Sequence, residues 1–369
     1  MKSVTAGAKL PMRTGRDKFE TMNEKTNKGI MSKFSNIPIS VLDLAPIVEG
    51  GTAADALHNS LDLARHAERL GYKRFWLAEH HNMTGIASAA TSVAICYVAN
   101  GTSTIRVGSG GIMLSNHAPL VVAEQFGTLE SLFPKRIDLG LGRAPGTDQM
   151  TMRALRRKLD GADDFPEQLE ELRFLLREPI EGQRVRAVPG AGMKIPIWLL
   201  GSSDFSARLA GELSLPFAFA GHFSPEYILP ALELYRKSFQ PSDELAKPLA
   251  MLAINIVAAE TDKEAWRLAS SQFQSFLRLI RGTPGQLQPP VENMDEIWLP
   301  HEKAAVEMRL GGSIIGSRAT VEAELERLLE ATEADELIVN AMIFDHEARL
   351  RSYEIVADIW RNKAAQTAA

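Results

Sequence analysis

Eight short runs rich in β-branched and apolar residues recur along the chain, most of them followed by a stretch with helical periodicity. The runs cover 37–44, 74–79, 105–114, 136–141, 195–200, 217–220, 249–258 and 337–343. Such alternation is the mark of parallel βαβ units, because each parallel strand needs a long crossover back to the same edge. Eight is the number of strands that closes a barrel, so the pattern predicts a (β/α)8 TIM-like barrel over residues 36–362. A doubly wound open sheet fits most of the same text, but the eighth strand and the helix after it favour closure.

The intervening helices carry readable ends. Thr52 and Asp55 start one whose Leu57, Leu61 and Ala64 share a face, and Gly71 stops it. Pro119 opens another, with Val122, Phe126 and Leu129 on one stripe, and Pro134 ends it. Thr261 and Glu264 form a capping box, while Ser317 and Asp345 are placed to cap the last two helices. Two stretches interrupt the rhythm, 143–163 after the fourth strand and a Pro/Gly-rich insertion at 281–316. Connections of this length form lids or surface decoration, and both adjoin the C-terminal strand ends where barrel enzymes keep their chemistry.

Composition excludes several function classes. A net charge of −5 argues against a nucleic-acid or acidic-membrane surface, and no apolar run approaches the length of a membrane helix. The single cysteine, Cys96, lies on an apolar helix face; it excludes a disulfide framework and suits a reducing cytoplasm. Residues 1–34 hold eight Lys/Arg against three acidic residues, leaving +5 there and −10 on the remainder. With almost no apolar periodicity, residues 1–35 read as a basic, disordered extension, and 363–369 as a tail.

Candidate site residues collect after the strands. Glu79-His80-His81 ends the second, where alternation lets only one of the two histidines face the barrel mouth. A lone pair of adjacent histidines, with no Cys/His cluster elsewhere, predicts no metal centre. Gly108-Ser109-Gly110-Gly111 interrupts the third run, as a bulge, a close approach to a flat ligand, or tight rim packing. The segment 140–146 has the glycine spacing Gly-x-Gly-x-x-x-Gly, which is wrong for a dinucleotide fingerprint. Arg143 there could pair with a phosphate or equally with a surface carboxylate. Gly201-Ser202-Ser203-Asp204 leads into a helix, fitting an anion site or plain capping. His222 ends the sixth run and is placed to face the same pocket.

The runs WLAEHHNMTGI, IRVGSGGIMLSNHAPLVVAEQFGTLESLFPKRIDLGLGRAPG, IPIWLLGSS and DELIVNAMIFDHEARLRSYE resemble the luciferase-like monooxygenase family over roughly residues 38–360. The resemblance implies a barrel that binds FMN at its C-terminal mouth, commonly as a homodimer. It implies that His80 is the active-site histidine, with Glu79 preceding it in the same motif. It further implies a non-proline cis peptide at Gly110-Gly111 beside the flavin ring, and phosphate contacts from Arg143 and Ser202. Gly142 stands where luciferase itself has a reactive thiol, which puts light emission from an aldehyde in doubt.

The expected activity is therefore oxygenation of a small organic substrate by FMNH2, delivered by a separate reductase, and O2. His80 would exchange protons near neutral pH. A deazaflavin-dependent dehydrogenase is the nearest rival, and a non-catalytic flavin-binding protein is another. A metal-dependent barrel hydrolase comes last.

Overall fold

A computed structural model describes residues 37–144, 148–157 and 164–368, with side chains described through Lys363. The basic extension 1–35 lies outside the described residues.

Strands β1 (Ile39–Asp43), β2 (Arg74–Leu77), β3 (Arg106–Ser109), β5 (Ile137–Gly142), β6 (Ile197–Gly201), β7 (Phe217–Phe219), β8 (Ala250–Ala259) and β10 (Glu336–Asn340) follow one another round a ring. Every pairing is parallel, and β8 closes on β10 with Leu252 opposite Leu337 and Ile254 opposite Val339. All eight predicted runs thus supply the barrel. The third is split: its glycines separate β3 from the two-residue β4 (Ile112–Met113), which pairs with β5.

Helices α1 (Ala53–Leu70), α2 (Thr91–Asn100), α3 (Pro119–Leu132), α5 (Phe165–Leu176), α6 (Asp204–Glu212), α7 (Ile228–Ser238), α8 (Asp262–Ile280), α10 (Arg318–Thr332) and α11 (His346–Ala368) connect the strands. Local chemistry sets their ends. The Thr52 side chain accepts from Asp55 N while Asp55 accepts from Thr52 N, and Gly71 closes α1 at φ 84°. Asp345 accepts from Ala348 N at the start of α11. Ser317 does not cap α10 with its own hydroxyl; Asp262 at the head of α8 accepts from Ser317 N at 2.6 Å instead. The last helix continues through the segment expected to be a tail, with Lys363 paired to Glu322 and Glu326.

Both long connections contain regular structure that the sequence reading did not foresee. The first includes the short helix α4 (Gln149–Ala154). The insertion 281–316 contains helix α9 (Pro300–Leu310) and strand β9 (Ile314–Ser317). β9 pairs with the outer half of β8, Ile256 opposite Ile314, beyond the point where β8 leaves the barrel wall. No helix among the described residues is long and apolar enough to cross a membrane.

One apolar layer fills the space between strands and helices; a second fills the barrel itself, from Leu42, Trp76, Ala78, Trp198, Ala218, Met251, Ala253 and Ile338. Below it the N-terminal end is sealed by charge. Arg74 is 5% exposed, donates to Glu336 at 2.7 Å and Asp138 at 2.8 Å, and lies 4.9 Å over the Trp198 ring. Ser40 also donates to Glu336, and Trp76 to Asp138. Removing one partner from such a layer would strand a buried charge, typically at about 3–5 kcal/mol. The opposite, C-terminal end is open.

Candidate active site

The open end holds a cavity of about 940 Å³. Its floor is built from glycine. A Cβ on Gly110 would come within 2.6 Å of Leu42 Cδ1, one on Gly111 within 2.8 Å of the Gly140 carbonyl, and one on Gly140 within 2.1 Å of the Ser109 carbonyl. These approaches let β3 and β5 close up beneath a flat, side-chain-free shelf. The Gly110–Gly111 bond is cis. A Cβ on Gly108 would likewise strike Asp138, so close packing of the strands calls for all four glycines, of which Gly110 and Gly111 also border the cavity.

Two histidines face the cavity. His80 follows β2 and His222 follows β7; both rings border the cavity, and the Nδ1 of each is buried without a hydrogen-bond partner. Burial lowers the His80 pKa, with the nearby Glu79 opposing and His81 adding to the effect. Burial also lowers His222 to about 3, with a smaller push from His80. Burial therefore favours the neutral form of both imidazoles, and His80 takes up its proton at lower pH than an ordinary histidine. A neutral imidazole can still accept a proton at one nitrogen and donate at the other.

His81 does not enter the layer between strands and helices. β2 ends at Leu77, so strict alternation no longer governs residues 79–81. His81 Nε2 lies 2.7 Å from Glu79 Oε1, and His117 Nε2 lies 2.9 Å from the same oxygen. Glu79 Oε2 accepts from Met113 N at 3.1 Å. Burial would raise the Glu79 pKa, but the bonds from His117, His81 and Met113 outweigh it and hold the carboxylate below its ordinary range. Glu79 does not border the cavity; its carboxylate ties the end of β2 to the segment after the cis peptide. Ligand atoms of Glu79, His81 and His117 lie within 4.8 Å of one another, a cluster that could hold a metal ion and that sequence reading did not foresee. In the structure these same atoms satisfy each other as hydrogen bonds.

At the β5–β6 side of the cavity, Arg143 meets Gly201, Ser202 and Ser203. The Arg143 guanidinium stacks 4.2 Å over Phe205, and Ser203 precedes α6 without capping it through its side chain. Ser202, Ser203 and Ser206, the start of a nine-residue helix and Arg143 thus line the same cavity, a set of groups suited to an anion.

Sequence reading missed a polar ladder inside the barrel mouth. Asn340 on β10 donates to Asn255 on β8 at 2.8 Å, and Asn255 donates to the His222 carbonyl at 2.6 Å. The signal was a lone asparagine in each of two apolar runs, 249–258 and 337–343. The far wall comes from α8 and α9, where Gln272, Ser275, Phe276, Leu279 and Ile280 repeat at helical spacing beside Ala305, Met308 and Arg309.

The profile of the family described as luciferase-like monooxygenase matches residues 37–357. The chain is 60% identical to the Bacillus subtilis protein YvbT over 327 residues, 88% of this chain and 97% of that one. It is 56% identical to an Escherichia coli luciferase-like monooxygenase over 326 residues, 88% and 97% of the two chains. Identity to the Bacillus subtilis N-acetyl-S-alkylcysteine monooxygenase is 34% over 336 residues, 87% and 98% of the two chains. Among solved structures, apo-MsnO8 superposes with a TM-score of 0.79 at 37% identity, covering 88% of this chain and 98% of that one. The oxygenating component of the Pseudomonas putida 3,6-diketocamphane monooxygenase, solved with FMN, shares the fold at TM-score 0.67 and 18% identity, covering 87% and 97%. An F420-dependent secondary alcohol dehydrogenase shares it at TM-score 0.64 and 14% identity, covering 88% and 99%.

Proposed function

We propose that this chain, which belongs to the luciferase-like monooxygenase family, uses reduced FMN and O2 to oxygenate a small, largely apolar organic substrate. The observation that carries this reading is a single cavity bordered by three complementary sets of groups: the side-chain-free Gly110–Gly111 pair, Arg143 with Ser202 and Ser203, and two buried histidines. A planar ring system with a phosphate tail fits that set. Gly110 and Gly111 present backbone without side chains to the cavity, which suits a flat ring, and the serine hydroxyls and Arg143 match a phosphate. The orphaned Nδ1 atoms offer polar contacts to the ring edge or to substrate.

When bound, reduced FMN would supply the electrons for O2 activation. The protein's own contribution is positioning and proton handling. His80, kept neutral by burial, can take a proton at Nδ1 or release one from the other nitrogen. Glu79 fixes the segment that carries His80, through His81, His117 and Met113. Phe276, Leu279, Leu287 and Met308 give the mouth an apolar lining that a bound substrate would cover, displacing water. FMN is preferred to a deazaflavin because the monooxygenase relatives are the nearer ones, at 34–56% identity against 14% for the F420 enzyme. The 34%-identical relative is named for a thioether-bearing amino-acid derivative, and a thioether sulfur is one candidate oxygen acceptor. Supply of reduced flavin by a separate reductase belongs to this proposal, as does a homodimer. Exposed Val93 and Tyr97 on α2 and Val121 and Leu132 on the neighbouring α3 support the dimer.

The test is a spectral titration of the purified protein with FMN, reduced FMN and F420, followed by admission of O2. Binding of reduced FMN with rapid O2-dependent reoxidation is expected. Tight F420 binding with no response to O2 would replace the monooxygenase by a hydride-transferring dehydrogenase.

A further inference from the structure

We infer that Arg309 is the anchor for an acidic group on the substrate, so that this chain acts on apolar molecules ending in a carboxylate or sulfonate. The inference rests on the flavin reading above, since it assigns the other end of the same cavity.

The charges around the cavity are one-sided. Among its described lining residues the only charged side chains are Arg143 and Arg309; no Asp, Glu or Lys borders it. Arg143 belongs to the end formed by β5, β6 and α6. Arg309 lies in the last turn of α9, which packs on α8, the helix that follows β8, three strands further round the ring. One phosphate group at the Arg143 end therefore leaves the second cation unassigned.

Other cations of this region are already matched. Arg281 makes two 2.7 Å bonds to Glu302, and Lys303 pairs with Asp295 at 2.9 Å. Arg309 has no hydrogen-bonding or ion-pair partner in the described structure, although it is exposed enough to move. A cation in the last turn of a helix is mildly favoured by the helix dipole. That preference does not place it on a cavity wall.

The surroundings of Arg309 specify the rest of the ligand. Phe276, Leu279, Ile280 and Met308 present apolar surface to the same space, with Leu279, Ile280 and Met308 44–66% exposed. Apolar side chains left this open on two facing helices call for an apolar guest. A guest that also carried a cation would meet two arginines and no carboxylate. An anion at one end and an apolar body satisfies both features, and it points the body toward His80 and His222.

The test uses FMN-saturated protein and calorimetric titration with octanoate, octanesulfonate, 1-octanol and octyltrimethylammonium. A charge-assisted bond predicts that the two anions bind about tenfold or more tightly than the alcohol, and the cation most weakly. Arg309→Gln should bring the anions down to the level of 1-octanol while leaving the alcohol and FMN unchanged. Equal binding of octanoate and octanol by the unaltered protein, or a preference that survives Arg309→Gln, overturns the assignment. If FMN itself fails to bind, the flavin reading falls separately. The series is then run on flavin-free protein with Arg143→Ala as a second variant: loss of anion preference only with Arg309→Gln upholds the anchor, and loss only with Arg143→Ala removes it.

Discussion

Replacing His222 with Gln removes a ring that burial keeps neutral, and the consequence can be worked out in free energy. In the unfolded chain this histidine takes up a proton as pH falls through its ordinary 6.5, whereas in the folded protein it resists protonation down to about 3. The unfolded state thus binds more protons between those values, so stability is full above pH 6.5 and declines as pH falls toward 3. At pH 4.5 the full displacement corresponds to about 3 kcal/mol; one edge of the ring borders the cavity, where water can hydrate it, so about 1–3 kcal/mol is expected. His80 shifts in the same direction and adds to the loss. Urea unfolding of the wild type and His222→Gln at pH 7 and pH 4.5 isolates the effect, because the other groups titrate in both proteins. Between the two pH values the variant should lose about 1–3 kcal/mol less than the wild type. Equal losses would mean that water in the cavity hydrates the ring fully, and the case for a neutral histidine pair would collapse.

Two further outcomes follow from the same geometry. His80→Asn should fold and bind FMN nearly normally but oxygenate substrate about 10²–10⁴-fold more slowly; because burial lowers the His80 pKa, the wild-type acid limb should fall below the ordinary histidine range, and a limb centred at or above that range would contradict the assignment. Arg143→Ala should weaken FMN by about ten- to a hundredfold while leaving riboflavin, which lacks the phosphate, much less affected; equal losses for both would move the phosphate elsewhere.

The barrel was legible because its signals are local. Each strand announces itself as a short, largely apolar run, and Thr52, Gly71, Pro119 and Asp345 mark helix ends through chemistry confined to a few residues. β9 and α9 escaped because Ile314 and Ile315 are too short a run to stand out from a Pro- and Gly-rich background. β9 is held by pairing with β8, a partner about sixty residues earlier, and α9 by packing on α8. His80, Gly110, Arg143 and Ser202 could be picked out because each ends a strand or starts a helix. The bond from His117 to Glu79, the ladder from Asn340 to Asn255 and the place of Arg309 depend on contacts 38 or more residues apart or on the cavity itself. The downward shift of the His80 pKa was not legible for a related reason: it depends on enclosure, which adjacent residues do not reveal.

Strand β8 serves two neighbours in succession, β10 along its inner half and β9 along its outer half. The inserted segment is thereby stitched to a barrel stave instead of hanging from the rim. Swinging the whole insertion aside would break four residue pairs of sheet between Ile256–Ala259 and Ile314–Ser317, so it cannot behave as a freely hinged flap. The connection at 281–299 is tied down as well, since Leu287 exchanges backbone hydrogen bonds with Ile47 and Glu49, so the strand and the helix before it stand as a fixed jamb. A fixed jamb implies selection by shape at the doorway, with little energy lost to ordering a loop each time a molecule enters. Exchange of residues 300–317 with those of a related chain would then alter which molecules pass without disturbing the chemistry seated on the strand ends behind them.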